Sequence, residues 1–124
     1  MSMIESVEVR INDLSGRALD WAVAEADGLM PYPFKGEFLV LDGKTNAPLP
    51  KFSTDWAQGG PLRDNYDVGI EPGVPDGIPY AYVPGRDLDG SRGETALIAL
   101  CRAIVSAKFG GFVKVPAVLV GGVV

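Results

Sequence analysis

The sequence predicts a small α+β domain, with a mostly antiparallel sheet packed against two main helices. Three observations carry this reading. Two stretches, 14–26 and 94–109, repeat apolar residues at helical spacing. Several short runs of β-branched and aromatic residues lie between turn signals, as strands do. Glycine and proline, 16 and 10 of 124 residues, stand at nearly twice their usual share, which demands many turns and argues against a helical bundle. The order β-α-β-(β)-β-β-α-(β) offers too few crossovers for a doubly wound parallel sheet. The length suits one domain over residues 1–124, which buries about two thirds of its unfolded surface.

Taken in order, Ser6 to Ile11 alternates Val7, Val9 and Ile11 with Glu8 and Arg10, the pattern of a half-buried strand. From Leu14 to Ala26, Leu14, Ala18, Ala22 and Ala26 recur every four residues, and Gly28 follows as a stop. Leu29 to Gly36 holds Pro31 and Pro33 and is expected as loop or extended chain. Glu37 to Leu41 is a strand, Asp42-Gly43 a turn, and Thr45 to Leu49 a short return strand. Ser53 to Gln58 forms one helical turn capped by Ser53 and stopped by Gly59-Gly60-Pro61. Tyr66 to Glu71 and Ile78 to Val83 make a hairpin around a loose loop, Pro72 to Gly77. Pro84 to Gly93 is polar and glycine-rich, an exposed connection. Glu94 to Phe109 is apolar on most sides, so it is the central buried helix. Phe112 to Val115 is a last short strand, and the tail fades into Gly121-Gly122.

Composition removes several function classes. There is no histidine, which eliminates Ser-His-Asp and Cys-His nucleophile systems and every histidine-containing metal site. Cys101 is alone, so no disulfide framework and no thiolate metal cluster can form within the chain. The net charge of −5 and the scattered basic residues speak against nucleic acid as a partner. Met1 to Ile11 is polar and charged, unlike a secretory signal. The apolar tail Val115 to Val124 is half the roughly twenty residues of a membrane span and is interrupted by Pro116. The expectation is a soluble cytoplasmic protein with no cofactor and no membrane.

Each candidate motif meets a plainer reading. Gly85 to Ser91 has the glycine spacing of a phosphate-binding loop but lacks its lysine, and reads better as a solvent loop ending in an N-cap at Ser91. Asp87-Leu88-Asp89-Gly90 hints at a calcium loop, yet positions six and twelve hold Arg92 and Ile98 where glycine and glutamate belong. Cys101, inside the apolar helix, is a core residue. Arg17 and Asp20 pair on the surface for little energy, while Trp21 packs in the core. No spacing selects a pair among the sixteen carboxylates, so none is nominated as catalytic or as a metal ligand.

The informative stretch is F-S-T-D-W-A-Q-G-G-P-L, Phe52 to Leu62. Trp56 offers a flat apolar face with one donor, Asp55 and Gln58 share a face of a helical turn, and Gly59-Gly60 allow close backbone approach. Thr54, Asp55, Trp56, Gln58, Gly59 and Gly60 are therefore the candidate wall of a ligand pocket. The plainer reading, preferred on composition, is a capped turn with Trp56 pinned in the core and Gly59 as its C-cap.

Two stretches, G-R-A-L-D-W-A-V-A-E-A-D-G (Gly16 to Gly28) and Phe52 to Leu62, resemble the NinX-like family of small phage and prophage proteins. The later A-L-I-A-L-C-R-A-I-V-S-A-K-F-G helix (Ala96 to Gly110), followed by V-K-V-P (Val113 to Pro116), is similar too. The resemblance covers about half the chain and does not extend to Leu29–Pro50 or Arg63–Gly90. It implies a phage or prophage protein acting in the bacterial cytoplasm, in a family with no established role or catalytic residues. It also gives Thr54 to Gly60 more weight than packing alone would.

Three function classes remain: a non-catalytic binding module for a small-molecule or nucleotide-like ligand; an interaction factor docking on a host or phage protein through the Pro/Gly-rich Gly59 to Gly93 region and the apolar tail; and, least favoured, a carboxylate and metal enzyme. Homo-oligomerisation through the apolar C-terminus is compatible with all three.

Overall fold

The computed structural model describes residues 5–72, 76–85 and 87–120. The expected fading tail at Gly121-Gly122, half of the 72–77 loop, and the Asp87 and Asp89 side chains of the calcium-like turn lie outside that description. The architecture is α+β, and every strand pairing is antiparallel. Among the described residues the strands divide into three small sheets around one core.

The first strand, β1 (Ser6–Arg10), pairs with the last, β8 (Phe112–Pro116), from Ser6 opposite Pro116 to Arg10 opposite Phe112. A 3-10 turn at Ile11–Asp13 leads into α1 (Gly16–Ala26). Asp27 caps that helix and Gly28 follows at φ +83°, the left-handed stop its position predicts. The proline-rich stretch after it is extended and paired: β2 (Met30–Phe34), β3 (Glu37–Asp42) and β4 (Thr45–Pro48) form a meander. Pro31 and Pro33 fit because β2 is an edge strand, where a missing N–H costs no ladder bond. Lys35 and Gly36, both at positive φ, make the two-residue connection that joins β2 to β3.

A short helix, α2 (Trp56–Gly59), is followed at once by α3 (Pro61–Asn65). Pro61 was expected to end the turn; at N1 of α3 it starts a new one, since that position needs no N–H. The expected strand from Tyr66 is correspondingly shorter. Tyr66 caps α3, and β5 (Gly69–Glu71) pairs with β6 (Tyr80–Val83). The exposed connection expected at Pro84 to Gly93 is another correction, for most of it is strand β7 (Asp87–Arg92), hydrogen-bonded to β6 with a register shift between Ala81 and Val83. Its polar sequence hides a strand defined by its partner. Ser91 is accordingly buried in β7 and caps no helix.

The central helix, α4 (Ala96–Phe109), starts at Thr95, whose hydroxyl accepts the Ile98 N–H at 3.1 Å, and ends at Gly110, φ +86°. It packs against α1 and against β6 and β7. Leu97, Ala99, Leu100, Cys101, Ala103, Ile104 and Val105 are all buried, so a helix apolar on most sides is indeed covered on most sides.

Candidate functional site

Two of the motifs singled out in the sequence meet in space. Asp20, on the buried face of α1, is 1% exposed. Its Oδ1 accepts the Ser53 backbone N–H at 2.8 Å and the Ser53 hydroxyl at 2.7 Å. Its Oδ2 accepts from Arg17 Nη1 at 2.7 Å. Arg17 also donates to the carbonyls of Leu49 and Pro50, at 2.7 and 3.2 Å. The pair expected on the surface is thus a clamp that fastens the 49–53 chain onto α1. A buried carboxylate persists only when its lone pairs are satisfied, and three donors satisfy these.

Beyond the clamp, residues 51–60 are tied to themselves. The N-cap of α2 is Asp55, because Ser53 is committed to Asp20. Asp55 Oδ1 accepts the Ala57 N–H at 2.9 Å, and Oδ2 accepts from Gln58 Nε2 at 2.7 Å. The Gln58 bond first, and the Ala57 N–H next, hold the Asp55 carboxyl below the usual aspartate range. Gln58 Oε1 in turn accepts the Lys51 N–H at 2.9 Å, closing the loop. Gly59 is buried inside α2 and not its C-cap, which is Gly60. A Cβ on Gly59 would lie 2.0 Å from the Phe52 carbonyl oxygen and 2.8 Å from Leu97 Cδ1.

The structure therefore sorts the six candidate residues. Asp55 and Gln58 share a face, as their spacing requires, but they bond each other. Gly59 and Gly60 provide close packing and a helix junction. Thr54 and Trp56 are exposed, Trp56 by 51%, which overturns the reading that pins its indole in the core. The core tryptophan is Trp21, 7% exposed and edge-on to Phe38 at 5.6 Å between ring centroids. Trp56 lines a shallow groove of about 230 Å³ with Ser53, Thr54, Thr95, Leu97 and Ile98, between α2 and the first turn of α4. Sequence reasoning missed Leu97 and Ile98 of α4 and its N-cap Thr95. The only signal for them was that a threonine precedes the apolar run, marking where α4 begins.

Cys101 is buried as expected; burial, and then the nearby Asp20 charge, push its thiol well above the ordinary range, so no thiolate nucleophile stands here. Among the described residues no group of three or more Cys, Asp or Glu side chains is gathered as a metal ion would need, and no helix is long and apolar enough to cross a membrane.

Fold and site together define a small antiparallel α+β protein that displays a braced tryptophan loop on its surface. The chain belongs to the family described as Bacteriophage P22, NinX, whose model matches residues 10–108. That match runs through Leu29–Pro50 and Arg63–Gly90, where the resemblance in the motifs gave out, and stops short of Val113–Pro116. None of the curated proteins compared with the chain matches it.

Proposed function

We infer that the chain is a phage accessory protein that acts by binding, as one unit over residues 1–124, in the cytoplasm of the bacterial host. The ligand is a small molecule with a flat ring, such as a nucleotide-like compound. Trp56 and Thr54 contact it, and Asp55, Gln58, Gly59 and Gly60 hold them in place. The observation that carries this reading is the half-exposed Trp56 on a loop braced by its own hydrogen bonds and by Asp20. An indole held rigid at the surface loses little entropy when a ring stacks on it.

The test is native mass spectrometry of the wild-type protein and Trp56→Ala, both purified gently from phage-infected cells. The expected result is an added small-molecule mass on the wild type that Trp56→Ala loses while keeping its fold. A bare wild-type mass from infected cells would overturn the binding-module reading.

A second reading, an interaction factor for a host or phage protein, is favoured by a separate observation. Alternation along β2 and β3 puts Met30, Tyr32 and Phe34 on one face with Leu39 and Leu41. Val40, on the opposite face, is buried in the core. Met30 and Phe34 are 63% and 49% exposed, so this outer face is largely uncovered. It is a better docking surface than the Pro/Gly-rich region expected from sequence, much of which is β5 to β7 around the core. A carboxylate and metal enzyme gains no comparable observation.

A further inference from the structure

A second cleft, of about 410 Å³, is lined by Asn12, Tyr80, Gly90, Ser91, Arg92 and Arg102. It shares no residue with the Trp56 groove. Two arginines line it, in a chain whose net charge is −5. Among the described residues, carboxylates stand nearby, at Asp13, Glu94 and Asp76, but none lines the cleft itself.

Arg102 is a prepared donor. It projects from the middle of α4 and is only partly exposed. Its Nε donates to the Leu14 carbonyl at 3.0 Å and its Nη1 to the Arg92 carbonyl at 2.8 Å. Those bonds fix the plane of the guanidinium and leave Nη2 outside them. A fork held this way forfeits little freedom when it grips an anion. The Arg92 carbonyl faces Arg102 because β7 is the outer strand of its sheet. In an antiparallel strand a residue's N–H points the same way as its C=O, so the Arg92 N–H faces this side too. The Arg92 side chain adds a second cation, held at 2.8 Å by Asp76.

The cleft also has an aromatic wall. Gly90 sits at φ +74°, and a Cβ there would lie 2.2 Å from Tyr80 Cε2. Glycine at this point is what lets the Tyr80 ring lie down over the backbone of β7. Tyr82 backs that ring, with centroids 5.7 Å apart.

We propose that the cleft between β7, the 3-10 turn and α4 binds an oxyanion, a carboxylate or a phosphate monoester, carried on a planar ring. The anion meets Arg102 Nη2 and Arg92, and the ring lies against Tyr80. This site is independent of the proposed Trp56 groove, so either can fail without the other.

The experiment titrates the full isotope-labelled chain with phenyl phosphate, benzoate and inorganic phosphate, following backbone amide shifts by NMR. Saturable shifts centred on Asn12, Arg92 and Arg102 are expected. Phenyl phosphate should bind about tenfold more tightly than inorganic phosphate, the difference reporting the ring contact. Whichever of benzoate and phenyl phosphate binds better assigns the anion to carboxylate or phosphate. Arg92→Gln should weaken the better ligand about tenfold, the loss of one charge-assisted contact. Arg102→Lys keeps the charge but breaks the fork, and should weaken it as much; Trp56→Ala should change nothing. No saturation by about 10 mM of any probe would overturn the proposal, as would unchanged affinity in both arginine variants. Shifts centred on Trp56 would overturn it too.

Discussion

Asp20 shows how much one residue can carry in a chain this size. Its carboxylate takes two bonds from Ser53 and one from Arg17 while buried. Asp20→Asn keeps the shape but removes the charge, and its amide presents donors where Arg17 and Ser53 already donate. Breaking one partner of a buried pair costs about 3–5 kcal/mol, and the 40% exposure of the Arg17 side chain lowers that figure. A loss of about 2–3 kcal/mol is expected. It should be read as a lower urea midpoint at unchanged slope. A change under about 0.5 kcal/mol would mean the clamp does not anchor the loop. The sequence showed the Arg17–Asp20 spacing but not its surroundings. A three-residue separation reports that two side chains share a helix face, not which distant segment covers it. Cys101 was legible because its surroundings are local, a helix apolar nearly all round.

At the scale of the element, the same division holds. The helices α1 and α4 were readable because helical period, capping and stop residues all lie within them. The strands of the 30–48 meander were partly readable, β3 from its apolar run and β2 only as extended chain, since its prolines suit an edge that only the partner defines. The polar strand β7 had no internal signal. The 51–60 loop was legible as a capped turn, but its cap shifted from Ser53 to Asp55 once Ser53 was drawn to Asp20. That loop also makes a test of how tightly it is built. Gly59→Ala should stabilise α2 by helix propensity and by a stiffer unfolded chain, together about 1 kcal/mol. Against this, its Cβ would overlap the Phe52 carbonyl oxygen, a backbone atom with little room to yield. Overpacking of this kind costs about 3 kcal/mol, so net destabilisation is expected, with loss of the Trp56 position. Gly111→Ala, which meets no atom within 4 Å, is the control and should leave the melting temperature unchanged. Equal melting temperatures for the two variants would show that the loop adjusts freely.

For the whole molecule, charge and surface pull in opposite directions. A net charge of −5 keeps copies apart, yet the outer face of the 30–48 sheet leaves Met30 and Phe34 open to solvent beside the partly exposed Tyr32, Leu39 and Leu41. Of the charges beside that face, Glu37 lies on it opposite Phe34 and Lys35 reaches over the Phe34 ring, whereas Asp42 alternates onto the Val40 side. Two copies packed face to face about a two-fold axis would cover Met30 and Phe34 of each. The proline edge of β2 favours this face-on contact over strand addition, which needs a free N–H ladder. Homo-oligomerisation through this sheet is therefore expected. Sedimentation velocity over a concentration series should show a dimer that strengthens at high salt, because screening weakens the mutual repulsion while leaving apolar contact intact. Phe34→Lys, at a position half open to solvent, should leave thermal stability within about 0.5 kcal/mol and shift the dimer to monomer. A wild-type chain that stays monomeric at high salt and high concentration would sink the self-association and leave the face to a different protein. A dimer indifferent to Phe34→Lys would place the contact elsewhere on the molecule.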